Sequence, residues 1–334
     1  MINFFKKPYR WAIVFTVLMV GAFTFVMLDT FVIPKSYQSI VEQGEKQEEA
    51  VTGSGEEQTQ EEQSANEIQP TNEGKESTAK AEGTSDLEAD TSPVLTDTSY
   101  EDANIKISID TIREYDSNIY VADIQVSDIS YLKTAFANDT YGRNIKATTS
   151  DTATRNDAIF AINGDYYGFR DYGYVLRNGT LYRDTAGDAQ DLVIDNSGNF
   201  SIMNEDEVRA QELDLDSIWQ IFSFGPALIK DNEIAVDSTS EVSRARTSNP
   251  RTAIGQISPL HYVIVVSDGR TKESEGLSLL QLAEVFADLG CTTAYNLDGG
   301  GSSTMYFNGS IVNVPTDGRK DGEREVSDIV YVGY

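Results

Sequence analysis

The run Asn296-Leu297-Asp298-Gly299-Gly300-Gly301-Ser302-Ser303-Thr304-Met305 places a carboxylate, three consecutive glycines and two hydroxyls within a few residues. Glycines carry no side chain, so their backbone N–H groups can approach a ligand closely and form a concave anion-binding nest. Asp298 is an acid/base candidate, and Ser302 and Ser303 are hydroxyl donors. The run lies between two strand-like segments, 292–295 and 305–307. A short hairpin rarely needs three glycines, so the pattern points to a small polar site for a phosphate or a sugar.

Four further clusters could complete such a site. Asn163-Gly164-Asp165-Tyr166-Tyr167 follows the apolar run 158–162. Asp165 could pair with Asp298 and Tyr166 could pack on a sugar face, with Asn163 positioning the ligand; a turn held by Asx bonds fits the same residues. In Asn249-Pro250-Arg251-Thr252, Arg251 could grip a phosphate bidentately with Thr252 beside it, or be an ordinary ion-pair arginine. Ser267-Asp268-Gly269-Arg270 offers a third carboxylate, Asp268, and a second guanidinium, Arg270, but also reads as a plain Asp-Gly turn. Arg324, within Glu323-Arg324-Glu325, is another phosphate clamp or part of a solvated charge cluster.

Composition narrows the chemistry. The 334 residues include one His and one Cys. A His-based triad or cysteine nucleophile could use only His261 or Cys291. His261 opens the buried-strand run His-Tyr-Val-Ile-Val-Val and Cys291 sits between a helix end and a strand, so both read as structural. No intrachain disulfide and no His/Cys zinc cluster can form. The work falls to Asp, Glu, Arg, Asn, Ser and Tyr. No cofactor is required by this set, although its oxygens could hold Ca²⁺ or Mg²⁺. A formal charge of -28 repels nucleic acid.

The elements that must position these residues occupy the last two thirds of the chain. Residues 1–34 read as a cytoplasmic stub and a signal anchor: Trp11 to Leu28 is almost wholly apolar, behind Lys6, Lys7 and Arg10 and the aromatics Phe4, Phe5, Tyr9 and Trp11. The bulky Asp29-Thr30-Phe31-Val32-Ile33-Pro34 lacks a small-x-small cleavage pattern, which favours an uncleaved single-pass anchor over a cleaved signal peptide. Residues 35–99 form an acidic linker without an aromatic between Tyr37 and Tyr100. Such a segment is expected to be disordered, with a reach of roughly 40 Å that would lift the domain off the membrane.

Residues 100–334 then read as one α+β domain with a mixed, strand-rich sheet and few helices. Strands are expected at 105–109, 118–126, 158–162, 175–176, 192–194, 253–256, 262–266, 294–297 and 326–332. The clearest helix follows Gly276: Ser278 and Gln281 have capping-box spacing, Leu279, Leu282, Ala283, Phe286 and Leu289 repeat at helical period, and Gly290 suits a left-handed terminus. A second helix is expected over 151–156. The order strand–helix–strand around 262–297 predicts a right-handed crossover between parallel neighbours, putting Asp268 and Asp298 just past strand C-termini.

Together these motifs resemble the phosphodiester glycosidase family, whose members include the enzyme that removes an N-acetylglucosamine covering mannose 6-phosphate. The matching segments are Ala161 to Gly164, Phe224 to Leu228, Asn249 to Gly255, Asp268 to Arg270, Gly276 to Leu279, Asn296 to Met305 and Glu323 to Ser327, in the family's order. Asp165 stands where the family pattern has a second glycine. The resemblance implies an α+β fold and hydrolysis of a sugar-1-phosphodiester, with Asp298 as base or nucleophile and Asp165 or Asp268 orienting water or sugar hydroxyls. It further implies that Arg251, Arg324 and the amides of Gly299, Gly300 and Gly301 hold the phosphate. An anchored extracellular domain without disulfides suggests a Gram-positive type surface, with wall or exopolysaccharide phosphodiesters as substrates. The competing expectations are a non-catalytic glycan receptor, an exopolysaccharide assembly protein and a P–O-cleaving phosphodiesterase.

Overall fold

The computed structural model describes residues 9–40, 92–240, 248–318 and 320–334. Lys6, Lys7, Phe4, Phe5 and most of the acidic linker lie outside the described residues.

The apolar run forms one helix, Arg10–Phe31, with none of its residues buried. Twenty-two residues at about 1.5 Å each give roughly 33 Å, enough to cross a hydrocarbon core of about 30 Å.

A nine-stranded antiparallel sheet is the centre of the domain. Its order is Glu233–Ile234, Ala227–Lys230, Thr293–Asn296, Arg251–Ser258, His261–Ser267, Ser117–Val126, Ile105–Glu114, Ser99–Glu101 and Val94–Leu95. Burial follows position in this sheet. Ile105, Ile107 and Ile109 point inward while Lys106, Ser108 and Asp110 are exposed, the period-two signature of a strand wetted on one face. His261–Ser267 is buried on both faces from Tyr262 onward, so its sequence reads as a continuous apolar run.

One face of the sheet is covered by the helix Leu279–Asp288, whose Leu279, Leu282, Ala283 and Phe286 pack on Ala253, Val263 and Val265. The expected capping box is present: Gln281 N–H donates to Ser278 Oγ (3.1 Å) and Ser278 N–H to Gln281 Oε1 (2.9 Å), an arrangement that contributes about 1 kcal/mol. Gly290 ends the helix at φ +77°. The other face meets two five-stranded sheets, with Phe160, Ile162, Leu192, Phe222, Tyr295 and Val330 in the shared core.

The crossover differs from expectation in one respect. The strands on either side of the helix are not neighbours, because Arg251–Ser258 lies between them and pairs antiparallel with both. They still run parallel to each other, so Ser267 and Asn296 end at the edge where Arg251 begins. Every pairing among the described strands is antiparallel. The second helix spans Thr149–Arg155, two residues earlier than the expected start, because Thr148 caps it by accepting from Asp151 N–H.

Both ends of the expected linker carry structure. Lys35–Ser36 pairs with Gly142–Arg143, and Val94–Leu95 extends the large sheet. Composition concealed these segments because each is only two residues long; Lys35–Ser36 takes its hydrogen bonds from a distant strand, and Val94–Leu95 from the adjacent Ser99–Glu101.

Candidate active site

Asp298 follows the strand Thr293–Asn296, and Leu297 N–H donates to Thr252 O (2.9 Å), which fixes where the chain leaves the sheet. The backbone then makes a tight turn over Gly300–Ser302. Three other segments close on the three glycines. A Cβ on Gly299 would lie 2.9 Å from Pro250 O, one on Gly300 2.8 Å from Arg270 Nη2, and one on Gly301 2.6 Å from Asp317 Oδ1. Gly300 also has φ +65°.

This packing corrects the nest reading for two of the three amides. Gly299 N–H donates to Asp298 Oδ1 (2.9 Å) and Gly300 N–H to Pro250 O (2.8 Å), so both are used within the protein. What the turn does present is Asp298 itself: Oδ1 accepts from Gly299, and Oδ2 accepts from Ser302 Oγ at 2.6 Å. Burial raises the Asp298 pKa, while the Ser302 bond, the Arg324 charge and the Gly299 amide pull it down; burial prevails.

Asp298 and Ser302 line a cavity of about 340 Å³ together with Asp165, Tyr166 and Arg324. Its size is at the lower end for small-ligand pockets. Glu325, Val326 and Ser327 of the matched segment Glu323 to Ser327 complete the wall with Lys146, Phe169 and Asp317, which escaped the sequence reading. Lys146 belongs to no motif, and Asp317-Gly318 looks like any turn. Tyr166 and Phe169 stack, with ring centroids 4.6 Å apart at 19°, and make one aromatic side. On the other, Arg324 donates through Nε (3.0 Å) and Nη2 (2.7 Å) to Asp317 Oδ1, and Lys146 pairs with Glu325 at 3.0 Å. Glu323 turns away: it accepts from the N–H and hydroxyl of Ser150 at the start of the helix Thr149–Arg155. Of residues 323–325, only Arg324 and Glu325 therefore line the cavity. Ser327 Oγ is buried there without a hydrogen-bond partner.

The remaining expected residues hold the site together from outside it. Asn163 is fully buried; its Nδ2 donates to Asp298 O (2.7 Å), and its Oδ1 accepts from Thr252 Oγ1 (2.8 Å) and Thr304 N–H (3.3 Å). Asn163 and Thr252 therefore position the Asp298 backbone and do not reach the cavity. Ser303 is buried beneath the turn, its hydroxyl without a partner. Asp268 is committed elsewhere: Oδ2 accepts from Tyr120 OH (2.9 Å) and Oδ1 from Val314 N–H (2.8 Å). Arg251 is buried, with Nε donating to Leu277 O (2.9 Å), and Arg270 is exposed, donating to Asn249 Oδ1 (3.2 and 3.1 Å). None of these three lines the cavity.

Asp165 reaches the cavity wall with its carboxylate already bound. Oδ2 accepts from Arg177 Nη2 (2.8 Å) and Ser223 N–H (3.0 Å), and Oδ1 from Tyr167 N–H (3.0 Å). Arg177 is 2% exposed, donates through Nε to Asp328 Oδ2 (3.0 Å), also donates to Ile221 O, and lies on the Phe222 ring at 4.5 Å. The carboxylate expected as a second acid is thus one end of a buried Asp165–Arg177–Asp328 bridge. Burial raises the Asp328 pKa against the opposing pull of Arg177. Among the described residues, no group of three His, Cys, Asp or Glu side chains is arranged to hold a metal ion.

A second acidic pair lies behind Ser223. Ser223 Oγ donates to Glu205, and neither oxygen of the fully buried Asp191 accepts from a donor. Burial, and then the adjacent Glu205, push Asp191 up to about 10, so it is protonated at neutral pH. The unfolded chain releases that proton near pH 4, whereas the folded protein keeps it. Its contribution to stability is therefore full below about pH 4 and declines as pH rises toward 10. Asp191→Asn removes this dependence. The variant is expected to be more stable than the parent by several kcal/mol at pH 8, a gap that closes toward pH 4, as read by urea unfolding across pH. A constant gap would show that Asp191 does not titrate in this window.

His261 and Cys291 take the structural places expected of them. His261 Nε2 lies 2.9 Å from Asp123 Oδ2 at a strand end, and the buried Cys291 thiol is pushed up to about 12 by burial.

A phosphodiester glycosidase family model matches residues 156–333, more than half of the chain, including the whole Asp298 turn and the Arg177 bridge. The SPbeta prophage-derived protein YomE of Bacillus subtilis is 32% identical over 202 residues, covering 58% of this chain and 31% of that protein. The mouse N-acetylglucosamine-1-phosphodiester alpha-N-acetylglucosaminidase is 28% identical over 207 residues, 56% of this chain and 40% of the enzyme. The chain thus spans less than half the length of these curated relatives. The zebrafish catalytic domain of the latter enzyme, auto-inhibited by its pro-peptide, shares the fold with a TM-score of 0.55 at 21% identity, covering 69% of this chain and 83% of that one. With the family model spanning every segment that builds the cavity except Lys146, the chain belongs to the phosphodiester glycosidase family.

Proposed function

We propose that this protein hydrolyses sugar-1-phosphodiesters, releasing the sugar and leaving a phosphomonoester. The observation that carries this reading is the placement of Asp298 in one cavity with Arg324. A carboxyl group with a raised pKa, oriented by Ser302, shares a wall with a guanidinium suited to a phosphate. The sugar would lie against Tyr166 and Phe169. Water, deprotonated by Asp298, attacks the anomeric carbon; the C1–O bond breaks and its electron pair leaves with the phosphate. Arg324 and Lys146 stabilise the added negative charge. Phosphate is a good leaving group, so no strong acid is needed opposite Asp298.

The N-terminal helix supplies a membrane anchor in this reading. Lys6, Lys7 and Arg10 favour a cytoplasmic N-terminus and an extracellular domain, where cell-surface glycans or phosphopolymers are the candidate substrates. The two basic side chains provide the positive charge at the cavity, so turnover is expected to survive EDTA.

Hydrolysis in ¹⁸O-labelled water tests the assignment. Label in the released sugar is the expected result. Label in the phosphate would mean P–O cleavage, and saturable binding without turnover across a panel of sugars would mean a receptor. The anomer first released separates the roles of Asp298: inversion fits a base, retention a nucleophile.

A further inference from the structure

The chain leaving the membrane-type helix does not run free before it meets the domain. The helix ends at Phe31, and Asn144 Nδ2 donates to Thr30 O (3.0 Å) and Ile33 O (3.1 Å), so the domain itself satisfies carbonyls at the helix end. Lys35 and Ser36 then pair with Arg143 and Gly142, and Tyr37 N–H donates to Tyr141 O (2.9 Å). Lys35 Nζ turns back to Asp29 at 2.7 Å. Ser39 is buried, and Ile40 packs on the cluster containing Tyr174 and Leu176. The fit depends on a glycine at 142: a Cβ there would lie 1.9 Å from Lys35 O.

The partner of this strap leads directly to the cavity. Asn144 N–H donates to Gly168 O (3.3 Å), tying the strap's partner to the turn Tyr167–Phe169, where Phe169 lines the site. Lys146, three residues beyond Arg143, lines it as well. At about 3.5 Å per extended residue, the path from Phe31 through the strap to Lys146 is on the order of 30 Å. The domain therefore has no free tether between helix and site. The described chain reaches residue 40 on the domain and is again on it at Val94 in the large sheet, so the helix is joined to the domain through the strap.

We propose that residues 30–40 are a fixed strap holding the cavity at the membrane surface, and that the substrate is a glycosyl phosphodiester borne on that same membrane. The proposal rests on the hydrolase reading for its substrate and on the strap geometry alone for its position.

The test uses the full chain in vesicles. Cys291 is the single cysteine and is buried, so Tyr172→Cys, at an exposed position beyond the cavity turn, can carry a donor dye. The bilayer carries an acceptor lipid. Two diesters of the same glycosyl-1-phosphate are supplied, one to methanol in solution and one to a dialkylglycerol in the vesicle. A flexible insertion of about twenty Gly/Ser residues between Pro34 and Lys35 frees the helix end while leaving the strand in place. Gly142→Val displaces the strand instead.

Strong energy transfer is expected in the parent and weaker transfer in both variants. Turnover of the vesicle-borne diester should fall about tenfold or more in the insertion variant, with the methyl diester hydrolysed as before. Weak transfer in the parent, or vesicle-borne turnover unchanged by the insertion, would overturn the proposal. If neither diester is cleaved, the hydrolase reading and the substrate assignment fail together. The energy transfer then decides the strap by itself.

Discussion

Asp298→Asn is expected to lower kcat on a sugar-1-phosphodiester by about 10³-fold, within the range that a positioned acid or base contributes, and to leave the fold intact. The substitution is nearly isosteric. Its amide oxygen can still accept from Gly299 N–H, and its NH₂ can donate to the Ser302 hydroxyl in place of the present Ser302-to-Asp298 bond. It also removes a carboxyl whose ionised form burial disfavours, so unfolding in urea should show no loss of stability beyond about 0.5 kcal/mol. The pH profile of the parent carries the same argument. Catalysis needs the ionised carboxylate, so kcat should fall as pH drops through a pKa held above the ordinary carboxylate range by burial. Ser302→Ala deletes a bond that favours the ionised form, and the acid limb should move to higher pH. Full activity in Asp298→Asn would remove Asp298 from the chemistry. An acid limb unmoved in Ser302→Ala would mean that the limb belongs to another group.

How much of this site could be read before the fold was known depends on the range of the interactions involved. Asp298, Ser302 and Arg324 were legible because a local pattern announces them: a glycine-rich turn after a strand, and a basic residue between two acids. The capping box at Ser278 and the left-handed Gly290 were equally local. Long-range pairing was not legible. Asp165 read either as an acid or as an Asx turn; the Asx bond from Tyr167 N–H is present, but the bridge to Arg177, twelve residues away, and on to Asp328 was hidden because both look like parts of ordinary strands. Asp268 and Arg251 read as site residues because they sit at the correct sheet edge; only their partners Tyr120, Val314 and Leu277 show that their polar atoms are used in the framework. The three glycines were noticed for the right reason of close approach, but the approaching groups include Pro250 O, Arg270 and the Asp317–Arg324 pair. A two-residue strand such as Lys35–Ser36 has no periodicity to detect.

Arg177→Met is expected to cost about 3–5 kcal/mol of stability at pH 7, the range for breaking a buried charge pair by removing one partner. The guanidinium serves four acceptors from an almost fully buried position: Asp165, Asp328 and the carbonyls of Ile221 and Leu176. Its removal leaves two buried carboxylates facing each other. Because the penalty comes from the carboxylates left behind, Arg177→Met combined with Asp165→Asn and Asp328→Asn should recover much of the loss, a non-additivity that urea titration of the single and triple variants would reveal. The single variant's deficit should also shrink as pH falls. Burial already raises Asp328, and without Arg177 its folded-state pKa rises further; a raised pKa contributes stability that is full below the unfolded value and lost as pH increases. A single variant within about 1 kcal/mol of the parent at pH 7 would mean that water or a moved side chain replaces the guanidinium. Turnover by the triple variant then assigns Asp165. Activity within about tenfold of the parent makes it part of the wall that holds Tyr166 and Phe169 against the sugar. A loss matching Asp298→Asn, in a protein that unfolds at the parental midpoint, would make Asp165 a second chemical group despite its three bonds.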